Sequence, residues 1–149
     1  MFLIFDTETT GLPRDWNAPL TDADNWPRCV QIAWQLHDQD GHCIAHEDYL
    51  VQPEGFTIPY DAEKIHGIST ALADAEGIPL DAVLEKFVAA LGQCEYVGGH
   101  NVKFDVNIMG AELLRRGDQN FLEQVPVIDT CTEETASLCR LPGGRGGKF

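Results

Sequence analysis

Two carboxylates that could bind a metal ion follow directly on an apolar segment at the N-terminus. Residues 1–5 are Met-Phe-Leu-Ile-Phe, and they run straight into Asp6-Thr7-Glu8. If the apolar segment forms a buried β-strand, the side-chain period of two places Asp6 and Glu8 on one face at its end. A few oxygen ligands, completed by water and phosphate, suit a hard cation such as Mg²⁺.

The same spacing of two carboxylates occurs elsewhere, in Asp22-Ala-Asp24 and Asp38-Gln-Asp40, which we interpret as loops. A fully apolar strand rarely ends in two carboxylates on one face unless something binds them, because ionised side chains are seldom buried alone. This context favours a metal site over an ordinary acidic surface at Asp6 and Glu8.

A third carboxylate, Asp105, lies in the first turn of a helix predicted over residues 102–116. The helix dipole favours an acidic residue there, so a purely structural role is also open. The apolar stripe of this helix flanks Asp105, which predicts a position at the border of the buried face, within reach of the first strand's end. We expect His100 and Asn101, at the start of the helix, to fix the preceding loop by hydrogen bonding.

One further segment could contact a ligand, and at a second one local reasoning does not separate a substrate role from a structural one. In Thr9-Thr10-Gly11-Leu12 the glycine permits close backbone approach, and the leucine could present an apolar wedge to a base. An ordinary turn explains that segment equally well on local grounds. His66, five residues after Asp61, precedes a glycine at a predicted helix end, where a solvated capping histidine is the usual case.

Charge limits the function classes. The chain has 24 Asp and Glu against 10 Lys and Arg, a formal net charge of −14. Proteins that hold long nucleic acids by their backbone carry basic stripes, which this composition cannot supply. Bound divalent cations could still provide positive charge locally. Any chemistry on nucleic acid is therefore expected to depend on metal and to be confined to a short strand end.

Composition also suggests the compartment. The five cysteines are scattered without a Cys-x-x-Cys pair, which favours reduced thiols over a zinc site or a disulfide framework. The sequence has no run of eighteen apolar residues, which argues against a membrane span. The N-terminus lacks the basic start and long apolar core of a signal peptide. A cytoplasmic protein with no membrane partner is the expectation.

The hydrophobic periodicity predicts the elements that must position these residues. Strands are expected at 1–6, 29–37, 42–51, 95–99 and 125–128, and helices at 61–66, 70–75, 80–92, 102–116 and 130–139. The turn at residues 38–41 joins the second and third strands in a hairpin. This order predicts a single α/β domain over residues 1–149, with a central mixed sheet, helices packed on it, and a flexible, glycine-rich loop at 141–149.

Four motifs in this order resemble the DEDDh 3′–5′ exonucleases, a family typified by the proofreading ε subunit of DNA polymerase III. They are residues 6–12 (DTETTGL), 30–33 (VQIA), 65–68 (IHGI) and 100–105 (HNVKFD). The resemblance implies an RNase H-like fold and a two-metal mechanism with Mg²⁺ or Mn²⁺, two per complete site.

The resemblance also implies roles for single residues. Asp6 and Glu8 would bind the metals, and Asp105 would complete the site, partly through water. Asp61 and His66 would contact the terminal nucleotide, although the family usually has Glu at the position of Asp61.

The third motif of the family is a helix with a general-base histidine, followed five residues later by a last metal-binding Asp. None of the five histidines is followed at that spacing by an Asp in the position of that motif. We therefore expect this C-terminal helix to be missing, through truncation or natural loss, and the 149 residues to have little or no exonuclease activity.

Two alternatives stay open. The same motifs serve RNA 3′-end exoribonucleases, and the absent histidine would also fit a non-catalytic metal- and nucleotide-binding module. The expected partner is the single-stranded 3′ end of a nucleic acid, DNA rather than RNA, with a DNA polymerase subunit as a further candidate.

Overall fold

The computed structural model describes residues 1–139, which form a five-stranded mixed sheet with helices packed on it. The strands, in sheet order, are β3 (Cys43–Leu50), β2 (Cys29–His37), β1 (Phe2–Thr9), β4 (Tyr96–Gly99) and β5 (Val127–Asp129). β1 and β2 pair antiparallel, as do β2 and β3 in the predicted hairpin, whereas β4 runs parallel to β1 and β5 runs parallel to β4. The predicted α/β class with a mixed central sheet is confirmed.

The helices also follow the predicted order. They are α1 (Tyr60–His66), α2 (Thr70–Glu76), α3 (Leu80–Leu91), α4 (Lys103–Arg116) and α5 (Glu133–Cys139). Two differences stand out: β1 continues to Thr9, beyond its predicted end, and an unpredicted 3₁₀ turn lies at Phe121–Gln124. The longer β1 results from pairing with β2 as far as Thr9, a long-range contact that local periodicity does not show.

One face of β1 is covered and the other is open. Leu3 and Phe5 are buried, and they pair in register with the buried Leu36 and Trp34 of β2. The even-numbered side chains of β1 alternate to the other face, where Ile4 is largely exposed. Asp6 and Glu8 continue this open face toward the carboxyl end of the strand.

The core lies between the covered face of the sheet and the helices α3 and α4. The aromatic ring of Phe87 in α3 packs 5.2 Å from that of Phe5 and 5.7 Å from that of Trp34. The other buried residues of α3 recur at helical spacing: Leu80, Val83, Leu84, Ala90 and Leu91. The hydrophobic periodicity that predicts this helix therefore reflects its contact with the sheet.

A buried carboxylate fixes α4 against β2. Glu112 is completely buried, accepts the backbone N–H of Cys29 at 2.9 Å, and pairs with Arg28 at 2.9 Å and Arg115 at 3.2 Å. A buried charge needs such compensation, because taking it out of water without a partner is costly. Asp105 precedes Glu112 by seven residues, about two helical turns, so this anchor lies on the same side of α4.

Two predictions concern the end of the chain. The expectation that a C-terminal helix is missing and the expectation of a flexible loop at 141–149 both concern positions outside the described residues. Within residues 1–139, none of the helices is long and apolar enough to cross a membrane.

Candidate functional site

Asp105 reaches across from α4 to the middle of the acidic motif on β1. Its Oδ1 atom accepts a hydrogen bond from the backbone N–H of Thr7 at 2.9 Å and another from the Thr7 hydroxyl at 2.6 Å. Thr7 stands between Asp6 and Glu8, so a carboxylate 98 residues away in sequence is attached to the segment that carries the other two. The structure thus brings the three predicted carboxylates to one end of β1.

The burial of the three carboxylates differs. Asp6 is exposed on the open face, Glu8 is half-buried, and Asp105 is only 4% exposed. The sequence places Asp105 at the border of the buried face, and the structure buries it further, because the two hydrogen bonds from Thr7 hold it against the covered side of the strand.

Burial raises the pKa of all three carboxyl groups. For Asp105 desolvation, reinforced by the Asp6 charge, raises the pKa to about 6, although the hydrogen bonds from Thr7 oppose the shift. Desolvation also raises the pKa of Asp6. For Glu8 desolvation and the Asp6 charge raise the pKa, and His66 lowers it. The end of β1 therefore holds excess negative charge that a cation would relieve.

The three carboxylates do not form a closed ligand cage. Within residues 1–139, the one group of three candidate ligands whose donor atoms all lie within 4.8 Å is Asp38, Asp40 and His42, in the turn between β2 and β3. Asp38 Oδ1 there accepts the backbone N–H groups of Asp40 and His42 at 2.9 and 2.8 Å, so its carboxylate already closes the turn. We interpret that cluster as turn structure, in agreement with the sequence.

The donor set at the end of β1 nevertheless fits a hard cation. All three side chains offer oxygen, which Mg²⁺ and Mn²⁺ prefer. No arginine or lysine among the described residues forms an ion pair with Asp6, Glu8 or Asp105. Buried or partly buried carboxylates are normally paired or bound to metal, so a cation is the compensation that this arrangement lacks.

A cavity of about 340 Å³ adjoins Glu8, one of the three carboxylates. Its walls come from residues 7–12 on one side and from α1 and α4 on the other, namely Pro59, Asp61, Ala62, Ile65, His66 and Phe104. All six residues predicted to contact substrate line it: Thr9, Thr10, Gly11, Leu12, Asp61 and His66. Gly11 has φ of 148°, a conformation that other residues rarely adopt, which explains the glycine at this turn.

His66, which lines this cavity, has an unpartnered ring nitrogen. Its Nδ1 accepts the backbone N–H of Ile68 at 3.1 Å, so the neutral ring carries its proton on Nε2. Nε2 is buried and has no hydrogen-bond partner in the structure. The sequence favours a solvated capping histidine here. The structure instead shows a half-buried ring, which Ile68 contacts directly after Gly67 ends α1 at φ of 79°.

The junction before α4 is fixed by hydrogen bonds to the end of β5, as the sequence leads us to expect. Asn101 adopts a left-handed conformation with φ of 58°, and its backbone N–H donates to Asp129 Oδ1 at 2.8 Å. His100 Nδ1 lies 3.2 Å from the Thr130 hydroxyl. These contacts hold the start of α4 and therefore help to place Asp105.

Sequence reasoning misses several residues around the cavity. Phe104 and Ile65 line it, and Trp16 packs against Phe104 with ring centroids 5.8 Å apart. The available signal is Trp16 in the loop between β1 and β2 (residues 10–28), but only the folded chain shows which surface that loop faces.

Comparison with solved structures supports the RNase H-like fold. Exonuclease I of E. coli, in complex with a dT13 oligonucleotide, superposes with a TM-score of 0.74 at 20% identity, covering 99% of this chain and 33% of that chain. The same enzyme with a 5cy-dA13 oligonucleotide gives 0.72 at 22% identity, covering 96% and 31%. This chain therefore spans about a third of exonuclease I, and at this identity the likeness concerns the fold.

A third structure, the zinc ion-bound form of the exonuclease I–ssDNA complex from E. coli, gives a TM-score of 0.72 at 22% identity, covering 96% of this chain and 30% of that chain. No curated protein sequence matches this chain. A family model described as Exonuclease (RNase_T) matches residues 3–143, nearly the whole sequence. The chain belongs to this exonuclease family.

Proposed function

We propose that this chain forms the cation-binding and strand-end-binding part of a 3′–5′ exonuclease that acts on single-stranded DNA. The observation that carries the proposal is the double hydrogen bond from Thr7 to Asp105, which attaches a third carboxylate to the Asp6–Glu8 pair. Membership of the exonuclease family and the adjoining cavity support it.

The three carboxylates would hold Mg²⁺ or Mn²⁺. Both hydrogen bonds to Asp105 end on Oδ1, which leaves Oδ2 as the atom that could coordinate a cation or a bound water. Asp6 and Glu8 face the open side of β1, where substrate has access. Two bound cations supply stabilisation of the attacking and leaving oxygens in phosphodiester hydrolysis.

The cavity beside Glu8 would take the 3′-terminal nucleoside. The Nε2–H of His66 would donate to a sugar or phosphate oxygen, which would satisfy the one buried unpartnered side-chain nitrogen of the described residues. Leu12 would contact the base, and the backbone at Gly11 allows the strand to approach closely. Asp61 would be a weaker contact than the Glu usual in the family, since its side chain is one methylene shorter.

The 149 residues alone would hydrolyse DNA slowly. Their sequence lacks the histidine and last Asp of the third motif, and loss of a general base typically lowers rates by about 10²–10⁴. Water attack would then depend on solvent to accept the proton. A small imidazole base supplied in solution would partly replace the missing side chain.

DNA is the favoured substrate, and a proofreading role like that of the ε subunit, with a polymerase subunit as partner, is the biological setting we favour. The support is the resemblance of the four motifs, together with the exonuclease I structures, which contain DNA oligonucleotides. RNA is the competing substrate, because no described residue is assigned to reading a 2′-hydroxyl.

The test is single-turnover cleavage of 5′-labelled DNA and RNA oligonucleotides of matched sequence, with the protein in excess and Mn²⁺ present. We expect a ladder that shortens from the 3′ end of DNA, becomes faster with added imidazole, and disappears with Asp6→Ala. Asp38→Ala, which alters the turn cluster, should leave the ladder unchanged.

Cleavage that persists in Asp6→Ala would contradict the proposed site. Release of the labelled 5′ nucleotide would contradict the 3′–5′ polarity. Preferential shortening of RNA would show that RNA, and not DNA, is the substrate. A rate insensitive to imidazole and equal to that of complete exonucleases would show that a base lies within these 149 residues.

A further inference from the structure

Trp16 differs from the other two tryptophans of the chain. Trp26 and Trp34 are buried, whereas Trp16 is 50% exposed. Trp26 also donates its indole N–H to the carbonyl of Pro19 at 3.1 Å, as a buried tryptophan requires. The exposed indole ring of Trp16 is therefore not needed for the core, and its position can indicate a binding surface.

The loop holds Trp16 in place by hydrogen bonds on both sides. The buried Asn25 accepts the backbone N–H of Asp15 at 2.8 Å and donates to the Asp15 carbonyl at 2.9 Å. On the other side, Asn17 donates its backbone N–H to the Asp15 carboxylate at 2.9 Å. The backbone on either side of Trp16 is thus defined, which lowers the entropy that a binding partner must overcome.

The remainder of the loop is attached to α4. Arg115 donates to the carbonyl of Ala23 at 3.0 Å and also to the carbonyl of Trp26. Because α4 carries Asp105 near its other end, the loop and the proposed metal site are attached to the same helix.

Trp16 stands just outside the wall of the cavity proposed for the terminal nucleoside. Its ring packs at 52° against Phe104, with 5.8 Å between centroids, and Phe104 lines the cavity while Trp16 does not. Two further apolar side chains lie at the same cavity, Leu12 with 72% and Ile65 with 85% of their surface exposed. An apolar surface therefore continues from the cavity outward over Phe104 to Trp16.

Charge determines what this surface can bind. With a net charge of −14 the chain cannot hold a strand mainly through its phosphates. Aromatic side chains supply the alternative, because every base has a π-face and stacking does not depend on sequence. Phe104 and Trp16 at the mouth of the cavity are therefore suited to stack on nucleic-acid bases.

We propose that Trp16 stacks on the second base from the 3′ end of single-stranded DNA, and so sets the requirement for a strand longer than one nucleotide. This inference rests on the proposed function, because the terminal nucleoside must occupy the cavity for the next base to lie over Phe104 and Trp16. It adds a binding position that the four sequence motifs do not contain.

The test compares binding of dTMP and of the dinucleotide dTpdT by calorimetry in Ca²⁺, with a phosphorothioate linkage to slow cleavage. Stacking contributes about 1–3 kcal/mol per base, so Trp16→Ala should weaken dinucleotide binding about 5- to 150-fold and leave dTMP binding nearly unchanged. Trp16→Phe should keep part of the affinity. The matched control is Ile44→Ala on β3, where the replaced side chain is 52% exposed and distant in sequence from the cavity.

The possible outcomes separate the two proposals. If the wild type binds neither ligand, the proposed function fails. If it binds the dinucleotide and Trp16→Ala binds equally well, the function stands and the role of Trp16 is wrong. Equal weakening of dTMP and dinucleotide would also overturn the assignment to the second base. A melting temperature equal to that of the wild type confirms that a loss of binding in Trp16→Ala is local.

Discussion

The substitution Asp105→Asn should stabilise the metal-free protein at neutral pH, although it removes a proposed metal ligand. Asparagine keeps the Oδ1 acceptor, so both hydrogen bonds from Thr7 can persist. It removes the charge that burial and the neighbouring Asp6 make unfavourable. Replacing a side chain that serves structure alone would lower the stability of the protein. Replacing one that serves cation binding should raise the stability of the metal-free protein.

The magnitude follows from the raised pKa of Asp105. A change from 3.8 to about 6 is roughly 2 pKa units, which corresponds to about 3 kcal/mol at most. The new amide N–H₂ must also find a partner in a buried place, so we expect a net gain of about 1–2 kcal/mol. Because the pKa is raised on folding, the stability from Asp105 is complete below about pH 4 and lost as pH rises to about 6 and beyond.

The assay is urea unfolding of wild type and Asp105→Asn between pH 4 and pH 8 in EDTA, repeated with Mn²⁺. The advantage of Asp105→Asn should be small at pH 4, reach its maximum above pH 6, and shrink with Mn²⁺, since the cation binds the folded wild type. Asp74→Asn, at an exposed position of α2, is the control and should change little. An Asp105→Asn variant no more stable than the wild type at pH 8 would show that the buried charge of Asp105 does not destabilise the fold.

Three further expected outcomes concern other positions of the chain. Glu112→Ala should lower the free energy of unfolding by about 3–5 kcal/mol in urea titrations, because it leaves Arg28 without its buried partner. Gly99→Ala should lower the melting temperature, since the added Cβ would lie 2.8 Å from a β1 carbonyl oxygen; an unchanged value would contradict this close packing. Cys29 should resist iodoacetamide in the native state while the exposed Cys43 reacts, because burial raises the pKa of the Cys29 thiol and excludes the reagent.

The order of elements and the acidic motif could be predicted from the sequence because both are local patterns. The alternation in β2 and the stripe of α3 reflect which side chains meet the core, and the boundaries of both agree with the structure within a residue. Asp6 and Glu8 could be recognised because they end an apolar strand. None of this required knowledge of a distant part of the chain.

What could not be predicted depends on pairs far apart in sequence. The burial of Asp105 depends on Thr7, and the anchoring of α4 depends on Glu112 meeting Arg28. In each case the residue type is unremarkable locally, and its role arises from a partner that only the fold supplies.

Calorimetric titration with Mn²⁺ shows whether the carboxylates at the end of β1 bind a divalent cation. The three proteins are wild type, Asp6→Ala and Asp38→Ala, the last of which disrupts the exposed turn cluster that also has metal-ligand spacing. We predict that wild type and Asp38→Ala bind Mn²⁺ alike and that Asp6→Ala loses this binding. Identical titrations for wild type and Asp6→Ala, or loss of binding in Asp38→Ala, would contradict a cation site at the end of β1.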